Sequence, residues 1–489
     1  MSSAIRSQHN FSFQKRIIYN SWYSLINSIG SNILNLVCTI LLARYLGAKD
    51  YGIIIFANYL MLFMFSGFGN DLSGLKLVAQ VENEPKQLNI ILRGILLYHL
   101  LFAGFCSILL FSFATFFSNS IPANIYDHFF IISVIVIFNL FTGMFASLWD
   151  GFQRIDWSML ADVVLKGVKL FGFVVLLFFG FGVRHILLTW AWVYIVFALF
   201  VLPFFFWLFI RKKDFTKVVS GSLWSNFPHK TYLVYGFFLK CPALLRSFIP
   251  LIISFYLGYI TVDTSDIGIY GAAISLASAI LIFASPTSRA LFPSLSQFHI
   301  NNEKEQFVLV LKMVYRYVGL LAFLGVAFII LSSDKLVQFI YGNEFLGSSK
   351  IIGYLCVAIF FESLKHISGT ALNATNHASI VTMLEIFSAV FTTIAGFLLI
   401  WRFGVAGAAI TGAMASTITS VIELVLVQKL LKIKLLPLII SVTVATLAFL
   451  VVIWNKNMIT GILLVVPLFF FAKDFSIKEV VGLVSQFKR

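Results

Sequence analysis

Fourteen apolar runs follow one another along the 489 residues, near 18–45, 51–75, 88–113, 125–149, 158–180, 185–209, 232–257, 266–290, 308–332, 350–373, 378–401, 404–430, 435–454 and 458–472. A helix that crosses a bilayer needs about 20 consecutive apolar residues. Inside hydrocarbon every backbone N–H and C=O must also find its partner within the chain. Runs of this length and frequency therefore predict an all-α integral membrane protein of about 14 transmembrane helices. Composition excludes the alternatives, since 60% of the residues are hydrophobic and only 11% charged, against about 25% charged in an average soluble domain. So few charges cannot cover the surface of a cytosolic enzyme, and the pattern fits neither a disordered chain nor a disulfide scaffold. The first run is too long for a signal-peptide core and no small-residue cleavage site follows, so it is expected to stay as a membrane helix.

The net charge is +15, but the basic residues sit at the ends of apolar runs rather than in a stripe. That distribution follows the positive-inside rule and argues against nucleic acid as a partner. One alternating set of loops carries Arg6, Lys15, Arg16, Lys76, Lys86, Arg93, Arg154, Arg211, Lys212, Lys213, Lys217, Lys230, Lys304, Lys429, Lys432, Lys434, Lys473, Lys478, Lys488 and Arg489. The other set has only Arg44, Lys49, Arg184, Lys335, Lys350, Arg402 and Lys456. Both termini are accordingly expected in the cytoplasm, with the chain in the cytoplasmic (inner) membrane. The longest connection, about 210–231, is basic and too short for a catalytic domain. Cys38, Cys106, Cys241 and Cys356 lie in apolar stretches without metal-ligand spacing and read as small core residues. There is no phosphate-binding GxxxxGK[ST] loop, no HExxH and no GxSxG, so neither a cofactor, a metal nor a catalytic centre is expected.

Two stretches recur at a spacing of about 210–225 residues, the signature of an internal repeat. Tyr45-Leu46-Gly47 followed by Tyr51-Gly52 returns as Tyr256-Leu257-Gly258 followed by Tyr270-Gly271. Ser158-Met159-Leu160 with Asp162, then Phe181-Gly182-Val183, returns as Thr382-Met383-Leu384-Glu385, then Phe403-Gly404-Val405. A six-helix repeat keeps both halves in the same orientation. The expectation is two six-helix lobes in parallel repeat around a central cavity, 1–215 and 216–432, with 433–489 adding two transmembrane helices and a cytoplasmic tail.

The stretch Leu41-Leu42-Ala43-Arg44-Tyr45-Leu46-Gly47-Ala48-Lys49-Asp50-Tyr51-Gly52 resembles the LARxLGxxxYG signature of the polysaccharide-biosynthesis flippases, members of the multidrug/oligosaccharidyl-lipid/polysaccharide exporter superfamily. Ile267-Gly268-Ile269-Tyr270-Gly271-Ala272-Ala273 is similar to the family's GxYxxA opening of helix 8, and Phe403-Gly404-Val405-Ala406-Gly407-Ala408-Ala409 to its GxxGAA start of helix 12. The resemblance spans about 18–430. It implies a two-lobed, non-catalytic transporter that carries an undecaprenyl-pyrophosphate-linked oligosaccharide outward by alternating access, for O-antigen, capsule or another surface glycan. Membrane lipids are implied as partners, polysaccharide polymerase machinery is a candidate one, and a monomer suffices.

Polar residues inside the runs supply the candidate site, because a Lys, Arg or Asp at the centre of a membrane helix costs about 2.5–3.5 kcal/mol on insertion scales and needs a wet cavity or a partner. Lys240 and Arg246 lie roughly 12 and 21 Å into the seventh span at 1.5 Å per residue, with Pro242 and Pro250 in the same span. They read either as pyrophosphate contacts or as partners of carboxylates on neighbouring helices. Asp162, Lys166 and Lys169 share one face of the fifth span, as a cavity-facing ladder or as an Asp162–Lys166 pair with Lys169 left over. Glu362, His366, Gly369 and Asn373 form a stripe on the tenth span, with Lys365 alongside. Asn20, Ser24, Asn27, Ser31 and Asn35 form another on the first, either bonding across helices or lining a sugar-accepting cavity. Lys240, Arg246, Lys166, Lys169, Arg289, Asn27 and Asn35 are the candidate substrate contacts. Asp162, Glu385, Glu362 and Asp71 are the candidates for ion coupling, while Arg402 and Glu423 read as interfacial. Two other readings compete. A multidrug extruder of the same superfamily would favour a more acidic cavity, and a membrane polysaccharide polymerase or ligase would need a large outward loop.

Overall fold

The computed structural model describes residues 2–69, 72–81, 84–116, 122–152, 154–211 and 227–431, and the side chains of most of them from residue 30 onward. Every element among them is helical. The α-helices are α1 (Ser2–Met64), α2 (Leu72–Val81), α3 (Pro85–Phe116), α4 (Ala123–Tyr126), α5 (Phe129–Gly151), α6 (Ile155–Phe178), α7 (Val183–Val196) and α8 (Leu202–Arg211). After the basic loop come α9 (Gly236–Thr261), α10 (Thr264–Ser278), α11 (Leu281–Ile300), α12 (Lys304–Ile340), α13 (Leu346–Ala374), α14 (Ala378–Phe403) and α15 (Val405–Leu430). Three single π-turns, Phe65–Gly69, Phe197–Val201 and Thr231–Tyr235, interrupt or open helices, and a 3₁₀ turn covers Asn343–Phe345.

The described residues of the twelve apolar runs through 430 fall on helix, apart from short turns at helix ends. The runs at 435–454 and 458–472 lie outside the described residues, as does 212–226 of the basic connection. Nine helical stretches among the described residues are long and apolar enough to cross a membrane. α6 is not one of them because Asp162, Lys166 and Lys169 stand within its apolar stretch. The run 266–290 is divided between α10 and α11, and α11 contains Pro286 and Pro293, each of which removes a backbone donor from the helix. Large apolar side chains point outward, with Phe116 86%, Phe178 85% and Phe130 80% exposed. Water would not tolerate such a surface and acyl chains would. The chain is a multi-pass membrane protein.

The described chain forms two compact units. The first gathers Met1–Ser275, Gln338–Ser348 and Glu385–Thr411; the second gathers Leu276–Val337, Ser349–Leu384 and the chain from Gly412 onward. Cys38, Cys106 and Cys356 are buried and all four cysteines are free.

Within the first unit, two of the motif stretches from the sequence meet. The helical path of α1 turns at Gly47, whose φ of 74° and ψ of 174° belong to a region that essentially glycine alone adopts. The next residue, Ala48, donates its N–H to Glu344 Oε2 at 3.2 Å, so the 3₁₀ turn caps the restarted helix. α10 then crosses so closely that a Cβ on Gly52 would overlap the Thr264 carbonyl, and one on Gly268 would overlap the Ala48 carbonyl. Thr264 Oγ1 donates to the Lys49 carbonyl at 3.0 Å, and Tyr51 packs edge-on to Phe345 at 5.8 Å between centroids. The glycines at 52 and 268 are therefore steric requirements of one helix crossing. In the later pair of repeated motifs, Gly404 takes φ of 57°, whereas the left-handed residue of the earlier copy is Gly180 rather than Gly182.

Overpacking a tight contact costs about 1–3 kcal/mol, and backbone cannot move aside as a flexible side chain can. Gly268→Ala is expected to lower the melting midpoint of the detergent-solubilised protein. Gly104→Ala, where nothing lies within 4 Å of the added methyl, is expected to leave it unchanged or raise it. Equal shifts in the two variants would contradict the crossing.

Candidate functional site: charged groups within the helices

α6 carries the first cluster. Asp162 Oδ2 accepts from Lys166 Nζ at 2.7 Å, one turn further along the same helix. It also accepts from Ser31 Oγ of α1 at 2.6 Å. Asp before Lys at i, i+4 is the favourable order for a helix, and the Ser31 bond ties α1 to α6. Lys169 Nζ lies 4.9 Å from the centroid of Trp190 on α7, a cation–π contact. The pairing alternative thus describes Asp162 and Lys166, and the remaining cation of the face rests on an aromatic ring.

The second cluster joins α9 to α14. Arg246 Nη2 donates to Glu385 Oε1 at 2.7 Å across 139 residues of sequence. Their exposures differ sharply: the Glu385 side chain is 0% exposed and that of Arg246 is 49%. A buried carboxylate is costly unless a cation accompanies it, so the geometry explains why Glu385 is tolerated while half of the Arg246 side chain still reaches open space. Pro242 and Pro250 stand inside α9 on either side of Arg246. Each removes an i→i−4 bond and weakens the helix where these charges sit.

Lys240 occupies a third setting. It is 8% exposed and lines a cavity of about 420 Å³ with Gly67, Ser73, Phe102, Tyr232, Leu233, Val234, Gly236 and Phe237. Pockets for small organic ligands commonly measure about 300–1,000 Å³. Two of the π-turns supply wall residues, Gly67 from one and Tyr232 to Val234 from the other. Such insertions re-aim side chains at functional positions. Gly236 sits so near Ser73 that a Cβ would overlap the Ser73 hydroxyl. Among the described residues Lys240 is the one charged residue in this lining, and Arg246 is not part of it, so the two cations of α9 do not share this cavity.

In the second unit, Lys365 Nζ lies 3.9 Å from Glu362 Oε2, an i, i+3 pair on α13. One turn further along, Gly369 faces α15, where a Cβ would come 3.9 Å from Glu423 Oε2. Glu423 is 0% exposed, buried between helices of this unit. It stands in a polar patch with Ser420 Oγ, which donates to the Phe361 carbonyl at 3.0 Å. Tyr315 and Ser368 share a 2.8 Å bond in the same unit. The signal was present in the sequence, because Ser416, Thr419 and Ser420 precede Glu423 at i−7, i−4 and i−3, one helical face.

The remaining candidates are dispersed. Asn35 and Arg289 are exposed on α1 and α11, and Arg402 is exposed at the end of α14 with its guanidinium 5.5 Å from the Phe403 ring. Asn27 falls within α1, but its side chain lies outside the described residues, and so does Asp71. Among the described residues no group of His, Cys, Asp and Glu has the makings of a metal site.

The fold of this helical membrane protein is that of the multidrug and lipid-flippase transporters. The chain matches an inward-facing multidrug-resistance MATE family transporter of the MOP superfamily with a TM-score of 0.66 at 14% identity, covering 82% of this chain and 94% of that one. It matches the inward closed conformation of the lipid II flippase MurJ at TM-score 0.60 and 16% identity, covering 92% and 98%. The chain belongs to the polysaccharide biosynthesis protein family, whose model matches residues 17–299, more than half of its length. A probable low-salt glycan biosynthesis flippase from Haloferax volcanii, Agl15, is 26% identical over 159 residues. That stretch is 32% of this chain and 34% of the relative, so the chain matches about a third of that protein's length.

Removing one partner of a buried ion pair costs about 3–5 kcal/mol, because the other charge is stranded, whereas neutralising both costs far less. Arg246→Ala is expected to lower the melting midpoint markedly, and Arg246→Ala with Glu385→Gln to recover most of the loss. A double variant no more stable than Arg246→Ala would show that the pair carries no coupling.

Proposed function

We propose that this protein is a flippase for a lipid-linked glycan, moving an undecaprenyl-pyrophosphate-linked oligosaccharide from the cytoplasmic to the outer leaflet of the cytoplasmic membrane by alternating access. The observation that carries this reading is the buried ammonium of Lys240 in the wall of the 420 Å³ cavity. A fixed point charge in a low-dielectric wall attracts a diphosphate far more strongly than the same charge in water. Family membership and the name of the Haloferax relative support the choice of cargo. Asn27, Asn35 and the Ser31 face would accept the sugar, with Arg246, Lys166, Lys169 and Arg289 as further anion contacts. The two six-helix repeats, 1–215 and 216–432, would be the rocking lobes.

Coupling to an ion, where it occurs, would use carboxylates that can change charge inside the helices: Asp162, Glu385, Glu362 and Asp71. Glu385 is the strongest of these, because its protonation would release Arg246 from the 2.7 Å pair and make the guanidinium available to an incoming phosphate. The termini would both be cytoplasmic, the protein would act as a monomer, and polysaccharide polymerase machinery would consume its product.

The multidrug-extruder reading shares the fold, so the sign of the site's charge must decide between them. A cavity for organic cations calls for a carboxylate in its lining, and among the described residues the cavity at Lys240 has none. A polymerase or ligase would need catalytic groups on a sizeable loop, which no connection among the described residues supplies.

The test is retention of a short polyprenyl diphosphate on the purified protein by native mass spectrometry. Unaltered protein is expected to hold the diphosphate, Lys240→Gln to hold it at least about tenfold less, the worth of one charge-assisted hydrogen bond, and Lys240→Arg to keep most of it. Equal retention by Lys240→Gln, with its melting midpoint preserved, would remove Lys240 from the site.

A further inference from the structure

Beside the cavity at Lys240, but on a separate part of α3, lies a smaller groove of about 210 Å³ lined by Arg93, Gly94, Leu96, Leu97, Tyr98, Leu100, Phe227 and His229. Its floor is rigid. Phe227 is buried and seated so closely on α3 that a Cβ on Gly94 would overlap its ring. Tyr98 packs on Phe227 at 5.5 Å and on Tyr232 at 4.9 Å between centroids. The Tyr98 hydroxyl and His229 Nδ1 share a 2.8 Å hydrogen bond. These contacts hold the segment that opens α9 against α3, and they shape the recess.

The outer wall has the pattern of an amphiphile. Arg93, Leu96, Leu97 and Leu100 stand at i, i+3, i+4 and i+7, one face of α3, and all four are exposed. Arg93 lies about 9 Å in from the start of the membrane-crossing stretch Gln87–Phe113, and Leu100 about 10 Å further along the axis. Among the described residues no carboxylate lines the groove and no ion pair involves Arg93. The site therefore offers a guanidinium with an imidazole across the recess at one end, and three leucines leading into hydrocarbon from it.

We infer that this groove is a binding site for an anionic phospholipid, separate from the cargo site and independent of the proposed transport. The phosphodiester sits at Arg93, whose planar fork suits two phosphate oxygens, with His229 alongside, and one acyl chain runs over Leu96, Leu97 and Leu100. Charge complementarity selects an anion, and the leucine run selects one that carries an alkyl chain. The bound lipid fills a recess between α3 and the segment that opens α9, and so braces the helix that carries Lys240 and Arg246.

Native mass spectrometry of the full chain with equal amounts of phosphatidylglycerol and phosphatidylcholine tests this. The unaltered protein is expected to retain one phosphatidylglycerol with a preference of about tenfold, and to gain melting temperature from it and not from phosphatidylcholine. Arg93→Gln is expected to abolish the preference, Arg93→Lys to keep part of it, and Lys335→Gln, an exposed cation elsewhere, to leave it intact. Leu97→Trp, which fills the groove while keeping Arg93, is expected to reduce retention of phosphatidylglycerol and remains readable if Arg93→Gln does not fold. The inference is overturned by a preference that survives both Arg93→Gln and Leu97→Trp, by its absence in the unaltered protein, or by displacement of the lipid with millimolar inorganic phosphate.

Discussion

An ionised side chain in hydrocarbon must be neutralised, hydrogen-bonded or wet, and that requirement organises the interior of this protein. Asp162 is held by Lys166 and Ser31, Glu385 by Arg246, and Glu362 lies near Lys365. Two of these contacts join helices distant in sequence, α1 to α6 and α9 to α14. Each pair costs desolvation, and its net worth to stability is modest. What such pairs supply is specificity of helix contacts and, where one partner is half exposed, a charge that can be exchanged. The Arg246–Glu385 pair has that asymmetry. Lys240 lies in the wall of a cavity.

Steric exclusion supplies the second organising element. The stretch from Leu41 to Gly52 resembles a family signature, yet its glycines carry no chemistry. Gly47 makes a turn that side chains forbid, and Gly52 and Gly268 allow α1 and α10 to cross at backbone contact. Close approach through small residues is how membrane helices associate when lipid is as apolar as their own side chains. A motif can therefore identify a family while serving only to shape the scaffold on which the charged residues are displayed.

The helices were legible because apolar runs of spanning length have one solution in a bilayer, and the described residues of the twelve runs through 430 fall on helix apart from short turns at helix ends. Periodicity also placed Asp162 and Lys166 on one face, and they pair. What sequence could not supply was partnership across long separations: nothing in the local pattern links Arg246 to Glu385, or Ser31 to Asp162. Depth along a helix was likewise a poor guide to environment. Glu423 lies only two turns from the end of α15 and is fully buried, facing α13 near Gly369. The split of the run at 266–290 was also hidden, since Pro286 and Pro293 both occur within α11 rather than at its break.

Transport itself is the direct test of whether the cation in the wall of the cavity serves a diphosphate cargo. In liposomes carrying a fluorescent polyprenyl-diphosphate sugar, the protein should bring label from the inner leaflet within reach of an impermeant quencher. Lys240→Gln should slow that appearance at least about tenfold, and Lys240→Arg should restore it. Label that stays as protected as in protein-free vesicles, or that moves equally fast with Lys240→Gln, would contradict the account.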